Sequence, residues 1–527
     1  MSKDDLGFNL SPPFDGIFDL KDEMKVFRLF IGGKWTPSEM DNAFDIRTPI
    51  DGSIIARAEK ATERDVNLAA STAKEKRGIR ELPAIERIEI FSCAAAILEQ
   101  HKFEFARILQ LEAGKTNRDA VGEVNATIHR LKLTMEEARR IFGEYLPGDW
   151  SSGTVGKIAL AIREPVGVVA AITSFNYPLF IAATKIVPAL LAGNSVVLKP
   201  SSSNPISAAM LVRVLEISGM PAGSLNLITG KGEEAGDALI ANRDVNMINF
   251  TGSTPVGKRI SQMAIMKKLH LELGGKAYAL VLEDADLNLA AERCVFGSLK
   301  FSGQRCDAVS AVVAVDKIAE DLSERIVREV DKWKFGDPRD ESVALGPVIN
   351  QRAAERIHSM VMDAVDKGAE LLRGGKFHGS YYEPTVLDDV PVYATIAREE
   401  IFGPVIPIIR TKDEEEALTF ARGSNYGLES CIFTKDFYRM WHLAKGLECG
   451  EVTINDCPQH GVGYFPFGGI KDSGMGREGI GYSIDEMTNL KTIVFNLEPG
   501  GLGKRERSAA TCKTGIVPKG YEPSDGE

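Results

Sequence analysis

Cysteine is scarce in this chain: seven residues among 527, odd in number and widely scattered (Cys93, Cys294, Cys306, Cys431, Cys449, Cys457 and Cys512). The pattern suits reduced thiols in a cytoplasm better than a disulfide framework. Long apolar runs are also lacking. No segment approaches the length of a membrane span, and the start, Met1-Ser-Lys-Asp-Asp5, has no apolar stretch behind a basic end. Neither a signal peptide nor a membrane anchor is therefore expected. Positive charge is not in excess: 63 Lys and Arg face 74 Asp and Glu, a formal net charge of −11. An acidic balance disfavours nucleic acid, whose phosphates need a basic face, yet leaves room for a local basic pocket. Cys449, Cys457 and His460 match no common zinc spacing and lack a fourth ligand, so no metal is expected. No internal repeat is visible. What remains is ordinary globular material, 44% apolar and 26% charged, with length for two or three domains.

Residues up to about Met24, with Pro12-Pro13 and scattered phenylalanines, read as an N-terminal extension lying on the surface. Asp65 to Arg140 is mostly helical. Within it, Val121 to Phe142 has apolar residues at three- and four-residue spacing with charges between. Turn residues from Pro147 to Gly153 interrupt the helices. A regular alternation begins with the apolar run Val166 to Ile172, as expected of a strand buried on both faces. Strands over 195–198, 225–228 and 247–250 then alternate with helices over 179–191, 206–217, 233–241 and 256–264. Such spacing implies βαβ units and a parallel sheet, an α/β fold. After Lys276 the alternation resumes with a strand over 278–282 and a helix over 287–299, and continues to about Tyr482. This is a second α/β domain, with its boundary at Gly274-Gly275. Lys491 to Asn496 reads as a final strand, and the tail from Pro499 is expected to be loosely ordered.

Chemistry gathers at the ends of these strands. Gly230-Lys-Gly-Glu-Glu-Ala235 has the form G-x-G-x-x-A, but no carboxylate follows about 20 positions on, and a plain turn reads equally well. Phe250-Thr-Gly-Ser-Thr-Pro-Val-Gly257 is a strand end, a small-residue loop and a helix start. Free N–H groups there favour a phosphate, Gly252 allows close approach, and Ser253 can donate a hydroxyl bond. Cys306, in Phe301-Ser-Gly-Gln-Arg-Cys-Asp307, is a strong nucleophile toward carbonyl carbon once ionised. Glu272, in Leu271-Glu-Leu-Gly-Gly-Lys276, is a candidate general base, and its leucine neighbours suggest the partial burial that raises a carboxyl pKa. Asn176, in Thr173-Ser-Phe-Asn-Tyr-Pro178, follows a strand, where ligands gather in open α/β sheets. Cys93, Cys294 and Cys431 fit the commoner pattern of inert thiols.

These motifs, in this order, resemble the aldehyde dehydrogenase superfamily over roughly residues 27–496. Several segments are most similar to archaeal-type nonphosphorylating NADP-dependent glyceraldehyde-3-phosphate dehydrogenases: Phe175 to Phe180, Ser302 to Asp307, His460 to Gly469, Lys491 to Asn496 and Val121 to Arg130. The resemblance implies a thiohemiacetal and then a thioester on Cys306. Asn176 and the Cys306 N–H would stabilise the oxyanion, and Glu272 would activate water. It places Lys199 beside the adenosine ribose. Ser202 stands where NAD-preferring members carry a ribose-binding glutamate, so NADP is expected, with NAD possible. Gly252 and Ser253 would face the pyrophosphate, Glu400 the nicotinamide ribose and Phe402 the nicotinamide ring. Arg305 matches the family's phosphate-contacting arginine, with a structural ion pair as its alternative. His460 stands where bacterial members have a further arginine, and Arg130 lies one turn beyond another.

The implied architecture is aldehyde dehydrogenase-like: two parallel-sheet α/β domains and a β-arm. The NAD(P)-binding domain would span 27–145 and 164–273, the catalytic domain 274–483, and an oligomerisation arm 146–163 and 484–498. Residues 1–26 and 499–527 would be terminal extensions, and the assembly a cytoplasmic homotetramer, with dimers as the alternative. The implied reaction is irreversible oxidation of glyceraldehyde-3-phosphate to 3-phosphoglycerate. The alternative is oxidation of another small aldehyde, such as lactaldehyde, glyceraldehyde or a semialdehyde. A coenzyme A-acylating enzyme would not need Glu272 as base. A noncatalytic member would usually have lost Cys306, Glu272 or Asn176.

Overall fold

The computed structural model describes residues 8–151, 153–460 and 464–497. The tail from Pro499, Cys512 and part of the segment 460–469 lie outside them. Among the described residues, two large sheets carry the alternation seen in the sequence. The first has five parallel strands, β1 (Val168–Ile172), β2 (Ser195–Lys199), β3 (Leu225–Leu227), β4 (Met247–Thr251) and β5 (Lys268–Glu272). They lie in the order β5-β4-β1-β2-β3, so the chain reverses direction on either side of β1. Antiparallel strands flank them, Gly474–Met475 beside β5, and Leu29–Ile31 followed by the edge strand Lys34–Thr36 beside β3. Every residue of β1, β2 and β3 is buried, which explains their unbroken apolar character.

The second sheet holds β6 (Ala277–Val281), β7 (Val309–Val315), β8 (Thr385–Asp388), β9 (Val405–Thr411), β10 (Glu429–Phe433) and β11 (Glu451–Ile454), all parallel, in the order β8-β9-β7-β6-β10-β11. Its core is separate from that of the first sheet. Helices Ile206–Ile217 and Leu287–Leu299 run as the periodicity predicts; the latter is capped by the Asp286 carboxylate, which accepts from the N–H groups of Asn288 and Leu289.

Three expectations change. The apolar spacing read over Val121 to Phe142 belongs to a helix that runs from Asn117, capped by the Thr116 hydroxyl, and stops at Ala138, short of Phe142. The helix read over 233–241 opens with a wide π turn at Gly232–Gly236 before the α-helix Asp237–Ala241. The N-terminal extension is not a surface appendage. Phe14 and Ile17 are wholly buried, and Phe14 packs edge-on against His101 and Phe105 at ring distances of 5.4 and 5.7 Å. Isolated aromatic knobs of this kind give no periodic signal, so the sequence does not announce their burial.

A second compact unit comprises Phe142–Arg163 and, among the described residues, 490–497. Its strands Glu144–Pro147, Lys157–Pro165 and Thr488–Asn496 form one sheet. Tyr145, Trp150, Val494 and Phe495 stand exposed on it.

Candidate active site

Four neighbouring strands deliver the candidate residues to one edge of the first sheet. β2 ends at Lys199, β1 leads to Asn176, β4 leads to Gly252, and β5 ends at Glu272. All lie at carboxyl ends, on both sides of the point where the strand order reverses. The Lys199 side chain is buried, and its Nζ donates to the Pro200 carbonyl at 3.2 Å. Burial pulls its pKa down to about 8. Gly236 lies against it: a Cβ there would sit 3.5 Å from the lysine Cε. Ser202 is half-buried in the loop that follows. The Gly252 N–H donates to the Glu272 carbonyl at 3.0 Å, and Ser253 stands exposed at the head of the helix Thr254–Met263. Lys199 keeps further N–H donors free and faces no carboxylate at position 202. That donor set fits a phosphorylated ribose, as NADP carries.

Cys306 sits on a tightly held loop. Phe301, Ser302 and Gly303 all have positive φ, at 50°, 55° and 68°. A Cβ on Gly303 would approach the Gly403 carbonyl to 2.2 Å, so glycine is required there. Ser302 Oγ donates to the Gly346 carbonyl at 2.8 Å, and Gln304 Oε1 accepts from the Ile349 N–H at 2.8 Å. Asn176 Nδ2 donates to the Gln304 carbonyl at 3.0 Å, bringing that amide to the cysteine loop. Gly275 is adjacent, since a Cβ on it would meet the Cys306 carbonyl at 2.3 Å. Its N–H donates to Glu400 Oε1 at 3.0 Å. Burial raises the Glu400 carboxyl to about 7. Phe402, at φ 52°, meets Phe175 edge-on at 5.7 Å. Burial, then the Asp307, Glu429, Glu272 and Glu400 carboxylates, pushes the Cys306 thiol well above the usual thiol range. Glu272 is 3% exposed, and burial raises its carboxyl.

Beyond Cys306 opens a cavity of about 810 Å³, lined by Asn176, Cys306, Arg305, His460, Tyr177 and Lys300 among others. Arg305 is spoken for. Its Nε and one Nη donate to the two Asp307 oxygens at 3.0 and 2.9 Å, and that Nη also reaches the Pro458 carbonyl at 3.0 Å. Only the other Nη lacks a partner. Although burial opposes both charges, Arg305 holds the Asp307 carboxyl below its ordinary value. The arginine is thus the ion pair that its motif left open. The His460 N–H donates to Asp307 at 2.9 Å, and its Nε2 lies 3.4 Å from Glu478. Arg130 does not line the cavity. It is buried on its helix, with Nε and one Nη unpartnered. Asp307, Lys300 and His270 escaped the sequence reading. Asp307 stood in the quoted cysteine motif, and His270 shares a strand face with Glu272 by the period of two.

Comparison with known proteins agrees with this geometry. The model of the aldehyde dehydrogenase family matches residues 35–493. The chain belongs to the aldehyde dehydrogenase family. It is 39% identical over 475 residues, 90% of this chain and 99% of the relative, to an NADP-dependent glyceraldehyde-3-phosphate dehydrogenase of Streptococcus equinus. It is 38% identical to a lactaldehyde dehydrogenase of Methanococcus aeolicus, covering 89% of this chain and all of the relative, 100%. A solved structure of the NADP-dependent glyceraldehyde-3-phosphate dehydrogenase from Bacillus halodurans, complexed with NADP, superposes with a TM-score of 0.88 at 40% identity. That match covers 89% of this chain and 99% of the other. This aldehyde dehydrogenase is an enzyme, and no helix among its described residues is long and apolar enough to cross a membrane.

Proposed function

We propose that this aldehyde dehydrogenase oxidises glyceraldehyde-3-phosphate to 3-phosphoglycerate with NADP, without inorganic phosphate or coenzyme A. The observation that carries the reading is the meeting of Cys306 and the Asn176 amide in one cavity, beside the strand end that bears Glu272. The Cys306 thiol loses its proton to solvent, and the thiolate adds to the aldehyde carbon. Asn176 Nδ2 has two protons and spends one on Gln304, which leaves the other, with the Cys306 N–H, for the oxyanion. Lys199, Ser202, Gly252, Ser253, Glu400 and Phe402 hold NADP, whose nicotinamide, when bound, supplies the hydride acceptor. Glu272 takes a proton from the water that attacks the thioester, which frees the acid and returns the thiol. NADP is supported by the relatives named above and by the Lys199–Ser202 pattern.

A second reading, a short uncharged hydroxyaldehyde such as lactaldehyde, is favoured by the Arg305–Asp307 pair, which cancels the charge a phosphate would seek. Lys300, its pKa lowered by burial, and Arg118 are further cationic side chains that line the cavity. The test is kcat/KM for glyceraldehyde-3-phosphate, lactaldehyde and glyceraldehyde with NADP and with NAD. A tenfold or greater preference for the phosphorylated aldehyde, an order-of-magnitude mark for one good charged contact, supports the first reading. Parity or reversal supports the second, and NADPH from none of them discards both.

The same reading assigns 27–145 and 164–273 to NAD(P) binding, 274–483 to catalysis, and 146–163 with 484–498 to an arm that joins subunits into a cytoplasmic homotetramer. The exposed apolar side chains of the second compact unit support the arm's role. Sedimentation of the Val494→Asp variant, expected to be smaller than the native particle, tests it.

A further inference from the structure

The Glu272 carboxylate is buried, and neither of its oxygens accepts a hydrogen bond. Two residues earlier on the same face of β5 lies His270, 1% exposed. Its Nε2 is 3.4 Å from Glu272 Oε1, and its Nδ1 is 3.7 Å from Glu486 Oε2 on the helix Tyr482–Glu486. Neither approach has hydrogen-bond geometry, and both ring nitrogens lack any other partner. The ring is therefore an electrostatic clamp between two carboxylates. Two glycines shape its walls. A Cβ on Gly476 would stand 2.6 Å from His270 Nδ1, and one on Gly468 would stand 3.0 Å from Glu272 Oε1.

The charged groups around the pair are few. Glu478, from the adjoining loop, adds negative charge at both residues, and Lys268 of β5 acts on Glu486. Lys185, from the helix Pro178–Leu191, acts on Glu272 from a distance; its Nζ is engaged by Asn249 at 2.8 Å and Glu478 at 3.1 Å. Arg477 passes near Gly468, with its donors on the Gly469 and Gly476 carbonyls. His270 is thus the cationic side chain in direct contact with Glu272.

We propose that His270 is a positioning residue for the hydrolytic step: as an imidazolium between Glu272 and Glu486, it keeps the Glu272 carboxylate ionised and seated against Gly468. The inference rests on the reading of Glu272 as the base. Burial alone would leave Glu272 protonated far into the range where it must accept a proton from water. Burial also works against the charged ring, yet Glu272 and Glu486 hold its pKa up at about 9. Glu486, partly exposed, ties the clamp to solvent.

The test separates acylation from hydrolysis with 4-nitrophenyl acetate. Attack by the Cys306 thiolate releases 4-nitrophenolate and leaves an acetyl thioester; water then yields acetate and the thiol. The acetyl-enzyme is freed of excess ester, and its decay is followed by intact mass against pH, with Cys306→Ser to subtract label on other thiols. In His270→Gln the midpoint of the decay profile should move up by about one pH unit, so that decay is about tenfold slower well below the native midpoint and little changed well above it, as expected on removing an opposite charge within reach of a carboxylate. The release of 4-nitrophenolate should not slow in parallel, since Glu272 accepts no proton in that step and its protonation only relieves the charge that opposes a Cys306 thiolate. Glu486→Gln should move the midpoint in the same direction by less, and it carries the test if His270→Gln does not fold. A midpoint that stays put in the folded variants, whatever happens to melting temperature, overturns the inference. Glu272→Gln keeps the two claims apart: if its acetyl-enzyme decays like the native one, the reading of Glu272 fails instead.

Discussion

The crevice at the strand ends and the cavity beyond Cys306 are built from different material. Along the crevice the framework is largely backbone: the Gly252 and Gly275 N–H groups, which fix the loops by donating to the Glu272 carbonyl and to Glu400, and the first turn of the helix Thr254–Met263. At the cavity several of the working groups are side chains that already have partners: Arg305 with Asp307 in its lining, and His460 with Glu478 behind it. Backbone donors keep their polarity whatever surrounds them. A side chain's charge is available to a ligand only if no partner has cancelled it. The first region is therefore fixed by where loops fall, the second by which side chains meet.

Cys306 belongs to both regions, and its loss has the largest effect. Cys306→Ser should lower NADPH formation by about 10⁴-fold or more on every aldehyde, because a hydroxyl without a strong base is a poor nucleophile here. Residual turnover near the native rate would show that the two regions meet elsewhere. Next comes Asp307→Asn, which strands the Arg305 charge in a buried site. Removing one partner of a buried pair costs about 3–5 kcal/mol, so the melting temperature should fall clearly and recover in inorganic phosphate. Selectivity should swing toward glyceraldehyde-3-phosphate over lactaldehyde. An unchanged melting temperature would deny that Asp307 neutralises the arginine.

On the crevice side, Ser202→Glu should raise KM for NADP by about tenfold or more while leaving NAD nearly unaffected, since like charges brought together cost several kcal/mol. Equal changes for both cofactors would move the 2′-phosphate away from Lys199. The smallest effect concerns pH. Although burial opposes its charge, Lys185 and His460 hold the Glu478 carboxyl well below its ordinary value of 4.5. A carboxyl depressed in the folded state stabilises it above the unfolded pKa, and that contribution disappears as pH falls through the folded value. Thermal melts from pH 6 downward should therefore show a steeper loss for the native enzyme than for Glu478→Gln. Parallel curves would remove Glu478 from the acid-sensitive set.

The same contrast explains what could be read in the sequence. Buried parallel strands advertise themselves as apolar runs, and helices such as Ile206–Ile217 keep their period to the last residue, so the sheet and its strand-end loops were legible. Cys306, Glu272 and Asn176 stood out because motif and chemistry agreed, and their roles came through resemblance. Arg305 was visible as a phosphate contact or an ion pair, and the sequence did not decide between them. Its engagement depends on the positive-φ turn over 301–303 that folds the loop, and on Pro458 from far along the chain. Arg130 looked available from helical spacing, but its side chain points into the packing and not into the cavity. The burial of Phe14 depends on a ring pocket made by His101 and Phe105, about 90 residues away, which no local pattern encodes.

The most direct test of the mechanism is peptide mass mapping of Glu272→Gln, quenched after mixing with NADP and either glyceraldehyde-3-phosphate or lactaldehyde. The expected result is a single acyl adduct on the peptide that contains Cys306, with NADPH formed in proportion to enzyme and little free acid. An adduct on another residue, or free acid accumulating at the native rate with no adduct, would contradict a thioester on Cys306 that Glu272 releases to water.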